Sequence, residues 1–186
     1  MYRGFPLRSA ALRASAFALV LFSVSAFAAR PGLMLSYELT HDLLRTSDHF
    51  SVTVYEDGVA LVHYPEYMDK AGDYTVQLSP SEVQQLRLAL EHPLVQGFNP
   101  AAVKQQKKAL DAQSDMLFAV SDDSWANFEI DLGGESKRIR WANLPIEADR
   151  YPEIGVFRKL AAIQADLLQL DRHATAQRLV DEDLAD

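Results

Sequence analysis

Four side chains able to hold a divalent metal fall within nine residues: His41 and Asp42, then Asp48 and His49. Two imidazoles and two carboxylates are ligand types that zinc or manganese accepts. A metal there could activate water for hydrolysis. The spacing lacks the His-x-x-x-His pattern that sets two ligands on one helix face, so the same residues also read as a polar approach to a strand. His63 falls on a strand, His92 precedes Pro93 at a helix end where a cation suits the helix dipole, and His173 is near the end of the chain. None of the three has a nucleophile beside it. Serine chemistry finds neither Gly-x-Ser-x-Gly nor Ser-x-x-Lys with Lys-Thr-Gly. Gly133-Gly134 is too short to cradle a phosphate and is accounted for by a turn. Asp122 and Asp123 are neighbours in a turn and diverge, unlike a converging carboxylate pair. No cofactor motif is present, and no cofactor is expected.

A second chemistry lies on the strands flanking Gly133-Gly134. Pairing Trp125–Leu132 with Ser136–Asn143 across a two-residue turn sets Phe128 against Ile139 and Ala126 against Trp141 on one face. The other face carries Glu129 against Arg138 and Asn127 against Arg140, with Trp125 beside them. Cross-strand pairing of this kind is ordinary on a solvated sheet. Trp and Arg together, though, are the residues that concentrate binding energy at protein contacts. The candidate binding set is therefore Trp125, Asn127, Glu129, Arg138 and Arg140.

These side chains need a scaffold, and its elements are legible. Phe50–Tyr55 and Val59–Tyr64 flank Asp57-Gly58, a pair that accepts the positive φ of a hairpin turn. Read as a two-residue turn, it sets Val54 opposite Leu61 and Val52 opposite His63, with Phe50, Val52, Val54 and Leu61 on the core face. Thr53, Tyr55, Val62 and Tyr64 then take the other face. Tyr74–Leu78 is a third strand. Ser79-Pro80-Ser81-Glu82 starts a helix with a capping box and Pro at the first helical position. Val83, Leu86 and Leu90 give it one apolar stripe. Asn99-Pro100 opens a more polar connecting helix to about Asp111. Met116–Val120 reads as a strand, 144–150 as a polar loop, and Tyr151-Pro152 as the start of a long, mostly buried helix to about Leu170. Residues 173–186 read as a flexible acidic tail.

The N-terminus speaks to destination. Arg3, Arg8 and Arg13 precede the apolar run 14–28, which ends in Ala26-Phe27-Ala28, the build of a secretory signal peptide cleaved between Ala28 and Ala29. The run is short and rich in Ser and Ala, a poor match to the roughly 20 apolar residues of a membrane span. No stable membrane insertion is expected after cleavage, and the periplasm, or secretion, is the expected destination. Loss of residues 1–28 removes three arginines and no acid, leaving the mature chain more acidic than the full-length net charge of −8. Such a chain is a poor partner for nucleic acid, which is gripped by clustered Lys and Arg. With no cysteine, disulfides, thiol chemistry and Cys-ligated metal are excluded.

Several of these turn and cap residues, taken together, resemble an uncharacterised family of small bacterial exported domains. The likeness rests on Phe50–Gly58 with its Tyr-x-Asp-Gly turn, Gly72, and Leu78-Ser79-Pro80-Ser81-Glu82 with Leu86. It continues through Phe128–Trp141 and Pro152 with Leu160, so it runs from about Leu33 to Leu170. Many members carry a Cys-containing loop before the first strand, where this chain has Arg45-Thr46-Ser47-Asp48-His49. The resemblance implies a fold and brings no activity with it.

The expectation is a single α+β domain over residues 29–172. It has an antiparallel sheet of about six strands in two β-β-β-α halves, with helices packed on one face. The expected role is a non-catalytic exported module that binds another envelope protein or a small ligand. The alternative is a hydrolase using metal at His41, Asp42, Asp48 and His49.

Overall fold

Alternating burial along each strand builds one antiparallel sheet. In this computed structural model, which describes residues 32–42, 48–113, 123–133 and 136–179, the strands are β1 (Leu33–His41), β2 (Phe50–Tyr55), β3 (Val59–Tyr64), β4 (Gly72–Gln77), β5 (Ser124–Ile130), β6 (Lys137–Ala142) and β7 (Gln177–Arg178). Their order across the sheet is β6-β5-β1-β2-β3-β4-β7, and every described pair is antiparallel. The helices are α1 (Pro80–Leu90), α2 (Pro93–Gln96), α3 (Pro100–Asp111), α4 (Leu144–Arg150) and α5 (Gly155–Leu167), followed by a 3₁₀ turn at Leu170–Arg172. None of the described helices is long and apolar enough to cross a membrane. The fold is α+β, as expected. The segment 1–28 and the expected strand 116–120 lie outside the described residues.

The β1 strand corrects the sequence reading most. Sequence pattern alone puts the first strand at Phe50, with 41–49 a polar approach to it. Yet β1 lies in the middle of the sheet, pairing with β2 on one side and β5 on the other. Leu35, Tyr37 and Leu39 point into the core between Ser36, Glu38 and Thr40, the period-2 pattern of a half-buried strand. It joins the β2–β4 meander to the β5–β6 hairpin in one continuous sheet.

The β2–β3 turn is the second correction. Three residues, Glu56-Asp57-Gly58, separate the strands. Gly58 N–H donates to Tyr55 O at 3.0 Å, and Gly58 has φ +86°. The loop is one residue longer than the two-residue turn, so Val54 pairs with Ala60 and Val52 with Val62. A one-residue slip turns every side chain of a strand to the opposite face. Val62 and Tyr64 are therefore buried, Leu61 is 40% exposed, and His63 leaves the core face. Only glycine suits position 58: a Cβ there would meet Leu78 O at 2.7 Å, quite apart from its left-handed backbone.

A row of aromatic rings fills the core beneath the sheet. Phe128 to Tyr37, Tyr37 to Phe50, Phe50 to Tyr64 and Tyr64 to Tyr74 stand 4.8, 6.1, 4.9 and 5.5 Å apart between centroids. They cross β5, β1, β2, β3 and β4 in turn. At the β6 side, Trp141 meets Phe98 before α3 at 5.8 Å and Phe157 of α5 at 5.2 Å. The α1 helix starts as expected, with Ser79 and Glu82 bonded reciprocally. The Ser79 hydroxyl, its backbone N–H and His173 together hold the Glu82 carboxyl down at about 2.

Three further expectations are revised. His92, just past the end of α1, turns to the next helix instead: its Nδ1 accepts from Leu94 N at 3.2 Å and caps the N-terminus of α2. Residues 144–150, read as a polar loop, form α4, and the closing helix α5 is shorter than 151–170. Residues 173–179, read as loose tail, dock on the sheet. Gln177 pairs with Thr75 in β4, Thr175 bonds both N and O of Gln77, and His173 Nε2 lies 2.9 Å from Glu82. Polar anchors of this kind leave no hydrophobic period to read.

Candidate functional site

The β5–β6 hairpin has the expected register. Phe128 pairs with Ile139, Ala126 with Trp141, Glu129 with Arg138 and Asn127 with Arg140. Ala126, Phe128, Ile139 and Trp141 are buried, whereas Trp125, Asn127 and Glu129 are half-buried and Arg138 and Arg140 exposed. All five candidate binding residues thus share the face away from the core. The Arg140 guanidinium lies 4.5 Å from the centre of the Trp125 ring, within cation–π range. Arg138 donates from Nη2 and Nε to Glu129 Oε1, at 2.9 and 3.2 Å. Asn127 Nδ2 lies 3.3 Å from Trp125 O and 3.4 Å from Glu38 O.

Trp125 is held by a residue that the sequence assigned elsewhere. Its Nε1–H donates to Asp42 Oδ2 at 3.1 Å, just past the end of β1. Asp42 belongs to the suspected metal set, and the structure divides that set in two. His41 and Asp42 stand beside β5, where His41 pairs with Ser124. Asp48 instead bonds His63 and the Glu66 N–H, and His49 is half-buried. Among the described residues, no group of three or more His, Asp or Glu is gathered as a metal would need.

The Asp48 contact belongs to a clamp that periodicity could not reveal. His63 Nε2 lies 2.5 Å from Asp48 Oδ1, and its Nδ1 lies 2.7 Å from Asp73 Oδ1. Partial burial alone would lower the imidazole pKa. The hydrogen bonds and charges of the two carboxylates outweigh that and hold it above its ordinary value. The Glu66 N–H, then His63, holds Asp48 below the usual carboxylate range. Carboxylates occupy both ring nitrogens of His63, so neither is open to a metal or to a substrate proton. Its role is to fasten the segment before β2 to β3 and β4.

The sign of the resulting pH dependence follows from the two directions. A raised imidazole pKa stabilises the fold fully below the unfolded value near 6.5 and loses that contribution as pH rises through the folded one. A lowered carboxylate stabilises above its unfolded value and loses that contribution as pH falls through the folded one. The clamp is strongest between those limits, in mild acid. His63→Gln is therefore expected to lower the urea midpoint more in mild acid than in mild alkali. Equal losses at both would mean that His63 is held by packing alone.

Beside the binding face, a cleft of about 350 Å³ opens at the edge strand β6, between α3, α4 and β5. Trp125 and Arg140 belong to both the strip and the cleft. Lys104, Lys107, Trp141 and Glu147 also line it. Lys107 is hydrogen-bonded to the buried Glu147 carboxylate, which also accepts from Trp141 Nε1 at 3.4 Å. Asn143, at the end of β6, has left-handed φ and ψ of 53° and 40°. Its side chain is held by Asp123 Oδ1 at 2.7 Å and Ser124 N at 3.0 Å. The polar composition of α3 suits a solvated connector, which conceals the cleft from the sequence. The signal available was Lys104 and Lys107, three apart and so on one helix face.

Comparison with family models, curated proteins and solved structures returned no match.

Proposed function

We propose that the chain is a non-catalytic exported module of the bacterial envelope. It docks another envelope protein through the open sheet face bearing Trp125, Asn127, Glu129, Arg138 and Arg140. One observation carries this reading: the half-buried Trp125 ring, fixed by Asp42 and faced by Arg140. A large aromatic and an Arg held in place before binding lose little side-chain entropy on association. They are also the residue types in which contact energy concentrates. The surrounding Glu129–Arg138 and Asn127 groups supply a polar rim already held in place by hydrogen bonds. The apolar signal segment 1–28 and the acidic, cysteine-free composition support export.

Site-specific photocrosslinking in the producing cells tests the assignment. With p-benzoylphenylalanine in place of Arg138, one discrete adduct is expected. The same group in place of Leu88, exposed on α1, should not give it, and Trp125→Ala/Arg140→Ala should abolish it. Matching adduct patterns from the two positions, or none from Arg138, would exclude docking through this face.

A further inference from the structure

The cleft at the β6 edge carries a charge opposite to that of the chain around it. Four cations line it, Lys104, Lys107, Arg140 and Arg150, against the carboxylates of Asp123 and Glu147, whereas the whole chain has a net charge of −8. Two of the four are spoken for: Lys107 bonds Glu147, and Arg150 lies 3.4 Å from Asp111. Lys104 and Arg140 are different. Among the described residues neither has a carboxylate partner, and Arg140 faces only the Trp125 ring. Two cations with no carboxylate partner among the described residues, beside an aromatic wall, are complementary to a carboxylate with an apolar neighbour.

We propose that this cleft receives an acidic segment of the docking partner, with a carboxylate set between Lys104 and Arg140 and an adjacent apolar side chain against Trp125. The inference rests on the docking role proposed for the Trp125 face and names the chemistry of what docks there. Electrostatic complementarity of this sort sets specificity and the rate of encounter more than total affinity. A chain of net negative charge repels an acidic partner on average, so a local basic cleft also biases the orientation of approach.

The chain provides its own reporter. Its only two tryptophans, Trp125 and Trp141, both line the cleft, so fluorescence excited at the red edge, where tyrosine does not absorb, reports on the cleft. The probe is a blocked hexapeptide of alternating glutamate and leucine, titrated into the mature protein at low salt. The expected result is a saturable fluorescence change that weakens as salt is raised. Lys104→Ala/Arg140→Ala should weaken it about tenfold or more, the ratio that corresponds to 1.4 kcal/mol. The same peptide with lysine for glutamate should give no saturable change.

Equal binding of the lysine peptide, equal binding by the double variant, or no saturable response would each overturn the assignment. Free succinate binding as tightly as the peptide would overturn it too, because the occupant would then be a small organic acid. A failed peptide titration alongside a specific Arg138 adduct removes the acidic segment and leaves the docking face standing. Loss of both removes the docking reading as well.

Discussion

Phe157→Ala is expected to lower the unfolding free energy by about 3–5 kcal/mol, the range for truncating a buried aromatic. Phe157 lies in the first turn of α5, is fully buried, and touches the rings of Trp141 at 5.2 Å and Tyr151 at 6.4 Å. Those contacts join α5 to β6 and to the end of α4. Val156, Leu160, Ile163 and Leu167 extend the same buried surface along the helix. Truncation would leave a cavity lined by rings that cannot collapse without moving two helices, which places the loss near the upper end of the range. Against a typical total of 5–15 kcal/mol, such a loss is visible directly as a lower urea midpoint. Leu88→Ala, on the exposed side of α1, should stay within about 0.5 kcal/mol. A Phe157→Ala change no larger than that would mean α5 does not anchor the core.

The sequence spoke clearly where one physical rule governed and poorly where two competed. The β5–β6 register followed from two signals that agree: pairing centred on Gly133-Gly134 and alternation both put Phe128, Ile139 and Trp141 on one face. The β2–β3 register did not. Asp57-Gly58 is compatible with two loop lengths, and both flanking strands are apolar at enough positions to accept either. Leu61 and Tyr64 exchanged faces on that single residue. β1 was hidden for a different reason: its pattern is broken near Met34, where its register with β2 shifts. Glycine, serine and proline signals placed α1 and α3, whereas α4 begins at a left-handed Asn143 with no side-chain cap.

The candidate site divided the same way. Trp125, Asn127, Glu129, Arg138 and Arg140 came together because face membership is a matter of period 2. The contacts that hold them come from far along the chain, Asp42 for Trp125 and α3 for the cleft, and no local rule reaches that far. Asp42 and Asp48 illustrate the limit. Six residues apart in sequence, they reach strands on the two flanks of the β1–β2 pair, one beside β5 and the other beside β3.

The pair that fastens the cleft supplies the second large effect. Glu147 is buried, accepts hydrogen bonds from Lys107 and Trp141 Nε1, and so ties α4 to α3 and β6. Removing one member of a buried ion pair leaves the other charge uncompensated, at a cost of about 3–5 kcal/mol when burial is complete. Here the Lys107 and Glu147 side chains keep 23% and 11% exposure, so Glu147→Ala is expected at the lower end, about 2–3 kcal/mol. The loss should also exceed that of Lys107→Ala. Without Glu147, Lys107 remains in a cleft lined by Lys104, Arg140 and Arg150, and Trp141 Nε1 loses its acceptor. Without Lys107, the carboxylate keeps the indole N–H and can draw on the neighbouring cations. Replacing both, Lys107→Met with Glu147→Leu, substitutes apolar contact for the charge pair and should recover part of the loss. Urea denaturation of the two single variants and the double variant gives the coupling directly. Additive losses, with the double variant as unstable as the sum of the singles, would show that the two side chains act independently and that α3 is held to α4 by other contacts.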